Sequence, residues 1–82
     1  MSAETYMITS PVMGTYYCAP APGEKAFVEV GQRVNIDEVV CVIESMKVFT
    51  DLKANLPGTV TRIMVENEAV VMKNQELIEI TI

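Results

Sequence analysis

Few residues of this 82-residue chain have types and spacing suited to chemistry, and Lys47 is foremost among them. It closes the tetrapeptide Glu44-Ser45-Met46-Lys47, which follows the apolar run Val39-Val40-Cys41-Val42-Ile43 near mid-chain. A tight turn between two strands ordinarily carries Asn-Gly or Asp-Gly. Here a methionine and a lysine stand there instead. Departures from local turn chemistry concentrate at functional sites, because a foldable sequence otherwise agrees with itself. The lysine reads as an amine presented for covalent modification.

Other chemistries lack material. The chain has no histidine, which removes the commonest proton shuttle and metal ligand. Cys18 and Cys41 form no Cys-x-x-Cys pair and have no other ligands beside them, so neither a metal site nor a catalytic triad is expected. No two carboxylates are spaced as an acid–base pair. The net charge of −5, with only six scattered Lys and Arg, argues against nucleic acid as a partner.

The elements that must position Lys47 read as all-β. β-Branched residues abound, and short apolar stretches are broken by Gly, Pro, Asn and Asp, with no helical stripe. Strands are expected at Tyr6–Thr9, Gly14–Tyr17, Val39–Glu44, Val48–Ala54, Gly58–Val65 and Leu77–Ile82, with shorter pairings at Val34 and Val70–Val71. Eighty-two residues fit one domain, 1–82. The longest apolar run, five residues, is far short of a helical membrane span, so no membrane partner is expected. Two cysteines and no signal-peptide pattern point to free thiols and the cytoplasm, with a bridge between them as the alternative.

The chain also repeats itself. Val28-Glu29-Val30-Gly31, Val34, Glu38, Val40 and Ile43 align with Val65-Glu66-Asn67-Glu68, Val71, Gln75, Leu77 and Ile80 at an offset of 37. Ser10-Pro11-Val12-Met13-Gly14-Thr15 aligns with Ala54-Asn55-Leu56-Pro57-Gly58-Thr59 at an offset of 44, so the first half holds seven extra residues after Thr15. The surplus falls in the loop-like stretch Cys18-Ala19-Pro20-Ala21-Pro22-Gly23-Glu24-Lys25. Two halves that cannot bury their apolar faces alone must pack on each other, giving a pseudo-twofold sandwich or flattened barrel. Its Met46-Lys47 loop should protrude at one end, with the termini at the other. Cys41 is expected in the core, Tyr16 and Tyr17 as packing residues, and Phe49 exposed near the tip.

These residues together resemble the biotinyl domain family, whose attachment motif is commonly Ala-Met-Lys-Met preceded by Glu. The likeness rests on Ser10-Pro11 with Gly14-Thr15, Val30-Gly31-Gln32 with Val34, Glu44-Ser45-Met46-Lys47, and Pro57-Gly58-Thr59-Val60. It implies a barrel–sandwich hybrid of two four-stranded antiparallel sheets. Residues 19–27 resemble the thumb of the carrier subunits of bacterial and plastid acetyl-CoA carboxylases, so 18–26 is expected as a thumb-like insertion. The thumb residues would be Ala19, Pro20, Ala21, Pro22, Gly23, Glu24 and Lys25. Ser45 and Val48 depart from the usual motif, and Glu68 and Asn74 stand where Gly is common.

The resemblance implies that Lys47 is joined to biotin as an amide, flanked by Glu44, Ser45, Met46 and Val48, which takes the formal charge from −5 to −6. It further implies attachment by a biotin protein ligase. A biotin carboxylase would then load carbon dioxide from bicarbonate with ATP, and a carboxyltransferase would deliver it to acetyl-CoA, giving malonyl-CoA for fatty acid synthesis. The chain would be a carrier, not a catalyst, and either a domain of a longer subunit or a short free-standing one. A lipoyl-bearing domain, in which Asp usually precedes the lysine, and an unmodified interaction module of the same fold are the alternatives.

Overall fold

Alternating apolar residues punctuated by turn formers give eight strands among the described residues. The computed structural model describes residues 4–82 and has no helix among them. The strands are β1 (Thr5–Thr9), β2 (Gly14–Tyr17), β3 (Arg33–Val34), β4 (Val39–Ser45), β5 (Val48–Lys53), β6 (Gly58–Ile63), β7 (Val70–Val71) and β8 (Glu76–Thr81). They form two four-stranded antiparallel sheets, ordered β1-β8-β6-β3 and β5-β4-β2-β7. All expected strands are present, with ends shifted by at most two residues. The sheets stay separate, so the architecture is a sandwich and not a closed barrel.

The repeat appears as exchanged strands. β1 to β4 correspond to β5 to β8, and each sheet takes two strands from each half. Pairing register follows suit: Tyr16 opposite Ile43 matches Val60 opposite Ile80, and Thr15 opposite Val70 matches Thr59 opposite Arg33. The inward-facing residues of both halves make one core around Tyr16, Val34, Ile43, Val60, Val71 and Ile80. Each half thus supplies the apolar face that the other covers, and neither could bury its own.

Gly14 and Gly58 occupy equivalent close approaches to the neighbouring strand of the same sheet, β2 to β4 and β6 to β8. A Cβ on Gly58 would lie 2.6 Å from the carbonyl oxygen of Thr81, and one on Gly14 would collide with that of Glu44. No side chain fits at either. Cys41 is fully buried in the core, and burial pushes its thiol up to about 12. It acts as a small apolar group.

The tip and the termini are symmetry counterparts. The N–H of Ile82 donates to the carbonyl of Glu4 at 2.8 Å, the equivalent of the Ser45–Val48 pair that closes the β4–β5 hairpin. At the far end of β5, the Tyr6 hydroxyl bonds the carbonyl of Ala54. The six residues of β5, at ~3.3 Å per residue, therefore hold the hairpin tip ~20 Å from the edge where the chain enters β1.

Candidate functional site

Two residues connect β4 to β5, and both are left-handed: Met46 has φ of 52° and Lys47 of 65°. With Ser45 opposite Val48 on either side, this is a type I′ hairpin turn, the geometry that matches strand twist. It normally takes Asn-Gly because a Cβ in this region costs about 1–2 kcal/mol per residue. The flanking strand supplies the restraint: Val40, Cys41 and Ile43 of β4 are essentially fully buried, which ties the hairpin to the core. Met46 is 92% exposed, and Lys47 is exposed beside it. The one ion pair among the described residues, Arg62 with Glu79, lies on the other sheet, so Lys47 meets solvent without a carboxylate partner.

Strain of this size has a testable consequence. Met46→Asn with Lys47→Gly should stabilise the fold by about 1–2 kcal/mol, read as a higher denaturation midpoint with an unchanged slope. A midpoint that falls would contradict the strained-turn account.

The chain contains a second Met-Lys pair, Met72-Lys73, which sequence reasoning did not weigh against the first. It lies in the four-residue turn where the Gln75 N–H donates to the carbonyl of Met72 at 3.0 Å and the Gln75 side chain accepts from Met72 N–H at 2.9 Å. There the left-handed residue is Asn74, not the lysine. Only Lys47 projects from a two-residue hairpin tip.

Beside that tip stands the inserted loop. The Phe27 N–H donates to the carbonyl of Cys18 at 2.8 Å, closing the loop's base, while both side chains pack against the core. At its far end Glu24 N–H donates to the carbonyl of Ala21 at 3.1 Å, and Gly23 has φ of 81°. Pro at the second position and left-handed Gly at the third make a type II turn, which the sequence Ala21-Pro22-Gly23-Glu24 encodes directly. Ala19, Pro20, Ala21 and Pro22 wall a cavity of about 400 Å³ against Tyr17, Val42 and Phe49 of the sheet. Asn67 and Glu68 complete the wall. Gly23, Glu24 and Lys25 form the exposed return of the loop, away from this lining.

Internal symmetry shows how specialised this face is. Tyr17, Val42, Glu44 and Phe49 correspond through the repeat to Thr61, Glu79, Thr81 and Thr5 on the other sheet. There, Thr61 donates to the Glu79 carboxylate at 2.8 Å, Arg62 bonds it at 3.1 Å, and Thr81 donates to Thr61 at 3.0 Å. The Thr61 hydroxyl, then Arg62, hold the Glu79 carboxyl below its usual range. One outer face is a polar ladder. The other carries a tilted aromatic pair, Tyr17 and Phe49, with ring centroids 6.3 Å apart. The Tyr17 hydroxyl lies 3.4 Å from the Glu44 carboxylate; partial burial raises its pKa, and the negative charges of Glu44 and Glu68 add to that.

The expected attachment residues Glu44, Ser45, Met46, Lys47 and Val48 therefore fall together on one hairpin, beside the loop of 19–25. Phe49, expected as exposed, is 65% exposed yet paired, and Tyr17, expected as packing, forms the cavity floor. Asn67 and Glu68 were not singled out as site residues. The repeat held a signal for them, since they replace Val30-Gly31 of the first half. Glu68 and Asn74 both keep the left-handed backbone that glycine would take, with φ of 70° each.

A family model described as "Biotin-requiring enzyme" matches residues 7–80. The chain is 47% identical over 73 residues to the biotin carboxyl carrier protein of acetyl-CoA carboxylase from Nostoc sp., covering 89% of this chain and 40% of that protein. It is 42% identical to the protein of that name from Porphyra purpurea, covering 89% and 46%. With the Haemophilus influenzae protein of that name it shares 37% identity, covering 92% and 48%. The chain thus spans less than half the length of these relatives. Its fold is similar to part of the Kluyveromyces lactis urea carboxylase, with a TM-score of 0.77 at 22% identity over 98% of this chain and 6% of that one. With the family model matching all but the outermost residues, the chain belongs to the biotin/lipoyl family of biotin-requiring enzymes.

Proposed function

We propose that this chain is a biotin carboxyl carrier domain in which Lys47 bears the biotin as an amide. The observation that carries this reading is an unpaired lysine at the centre of a strained two-residue turn, beside a cavity walled by the inserted loop. The residues fit the group. The lysine is exposed for a ligase to reach, and the cavity of about 400 Å³ is of the size and mixed polarity that take a small organic ring. Phe49, part of its floor, is the second residue of β5, two residues after Lys47.

Bound biotin supplies a ureido nitrogen that can accept and release a carboxyl group, chemistry that no side chain of this domain provides. The chain's own contribution is presentation. The hairpin aims the Lys47 amide outward, and Tyr17 and Phe49 offer an apolar rest for a ring. Residues 18–26 act as a thumb, with Ala19, Pro20, Ala21 and Pro22 covering that rest. Glu44, Ser45, Met46 and Val48 form the surface that a biotin protein ligase reads. Tethering keeps the group attached between a biotin carboxylase and a carboxyltransferase, so the second site meets it at high effective concentration. The relatives' names favour acetyl-CoA as the acceptor. Free Cys18 and Cys41 accord with the cytoplasm.

The test is reconstitution. With biotin ligase, the chain should become a carboxyl acceptor for acetyl-CoA carboxylase components, and lipoyl ligase should leave it unmodified. Modification by lipoyl ligase alone would replace this reading with the lipoyl one.

A further inference from the structure

The thumb is held by more than its own base. The backbone N–H of Cys18, its first residue, donates to Oδ1 of Asn67 at 3.0 Å. Asn67 belongs to the turn Glu66-Asn67-Glu68-Ala69, closed by Ala69 N–H to the carbonyl of Glu66 at 3.1 Å. Two further bonds lock this turn to β2: Glu68 N–H to the carbonyl of Tyr16 at 2.7 Å, and Tyr16 N–H to that of Ala69 at 2.9 Å.

The first half builds the same turn from Glu29-Val30-Gly31-Gln32. Gln32 N–H donates to Glu29 at 3.0 Å, Gly31 N–H to Val60 at 2.7 Å, and Val60 N–H to Gln32 at 2.9 Å. Backbone and bonding are duplicated, so the halves differ here in side chains. Val30 has become Asn67 and Gly31 has become Glu68, and both replacements line the cavity under the thumb. The second is made at a left-handed position, with φ of 70°, where glycine would be free of strain. Two departures from the repeat, one of them strained, meet the single insertion that also departs from it.

From this we infer that Asn67 is the positioning residue of the thumb. Its side-chain oxygen, carried on a turn fixed to β2, sets where the chain leaves the sheet at Cys18 and keeps the loop seated over Tyr17 and Phe49. The seating is a property of the unmodified chain. Its consequence, that Asn67 governs contact between the thumb and the arm on Lys47, rests on the proposed carrier function.

Hydrogen exchange of the unmodified protein, followed by NMR, tests the seating. Asn67→Leu removes the acceptor, and Asn67→Ser is too short to reach. In both, the Cys18 amide should exchange about 2- to 10-fold faster, while the core amides of Ile43 and Ile80 keep their rates. Asn67→Asp keeps the acceptor and should restore the wild-type rate. A Cys18 amide unmoved in the Leu and Ser variants, or no rescue by Asp, overturns the inference. In the biotinylated protein, the shifts that biotin induces at Ala21 and Gly23 should shrink in Asn67→Leu. Their absence in the wild type overturns the thumb–arm contact of the proposed function, while Cys18 exchange still decides the role of Asn67.

Discussion

Lys47→Arg should abolish biotin incorporation and reduce carboxyl transfer to the level of an assay without carrier. The guanidinium keeps the positive charge but stays protonated, so it offers no free amine for acylation. Position 47 is exposed and contributes no ion pair, so this substitution should change stability by less than about 0.5 kcal/mol. Loss of function with an unchanged denaturation midpoint thus separates attachment from folding. Avidin binding and reconstituted turnover measure the first, and a denaturant titration the second. Retained avidin binding would show that another lysine carries the group.

Deleting residues 19–25 should spare biotin attachment and lower carboxyl transfer by about tenfold, equivalent to ~1.4 kcal/mol of barrier. The fold should survive because the second half makes the same connection without these residues, and its turn at Glu66–Ala69 repeats the bonding of Glu29–Gln32. The insertion itself adds little to the core. Cys18 and Phe27, which pack against it, lie outside the deleted segment. What disappears is one wall of the cavity over Tyr17 and Phe49, and with it the restraint on a long flexible arm. Equal turnover by the deleted and intact carriers would mean that the loop has no part in transfer.

Much of this arrangement was legible in the chain. The two offsets, 37 and 44, became two sets of equivalent strands, and the difference between them located the inserted loop. Such a repeat is readable because apolar alternation and glycine close approaches, as at Gly14 and Gly58, leave marks at fixed positions. Side-chain partnerships across sequence leave weaker marks. Tyr17 meets Phe49 only because β2 and β5 flank β4, an ordering that periodicity cannot supply. Asn67 reads as an ordinary turn residue until Cys18 is placed against it. The Met-Lys dipeptide occurs twice, and the distinction between Lys47 and Lys73 lies in backbone geometry. Val48, which like Ser45 departs from the usual motif, is 63% exposed on the hairpin, where a change of side chain alters the surface and leaves the core intact.

The most direct measurement is the intact mass of this chain after co-expression with biotin ligase, followed by peptide mapping of its four lysines, 25, 47, 53 and 73. One added biotinyl group is expected, located on Lys47, with Lys73 unmodified despite the methionine before it. An unchanged mass, or biotin on Lys73, would contradict this assignment.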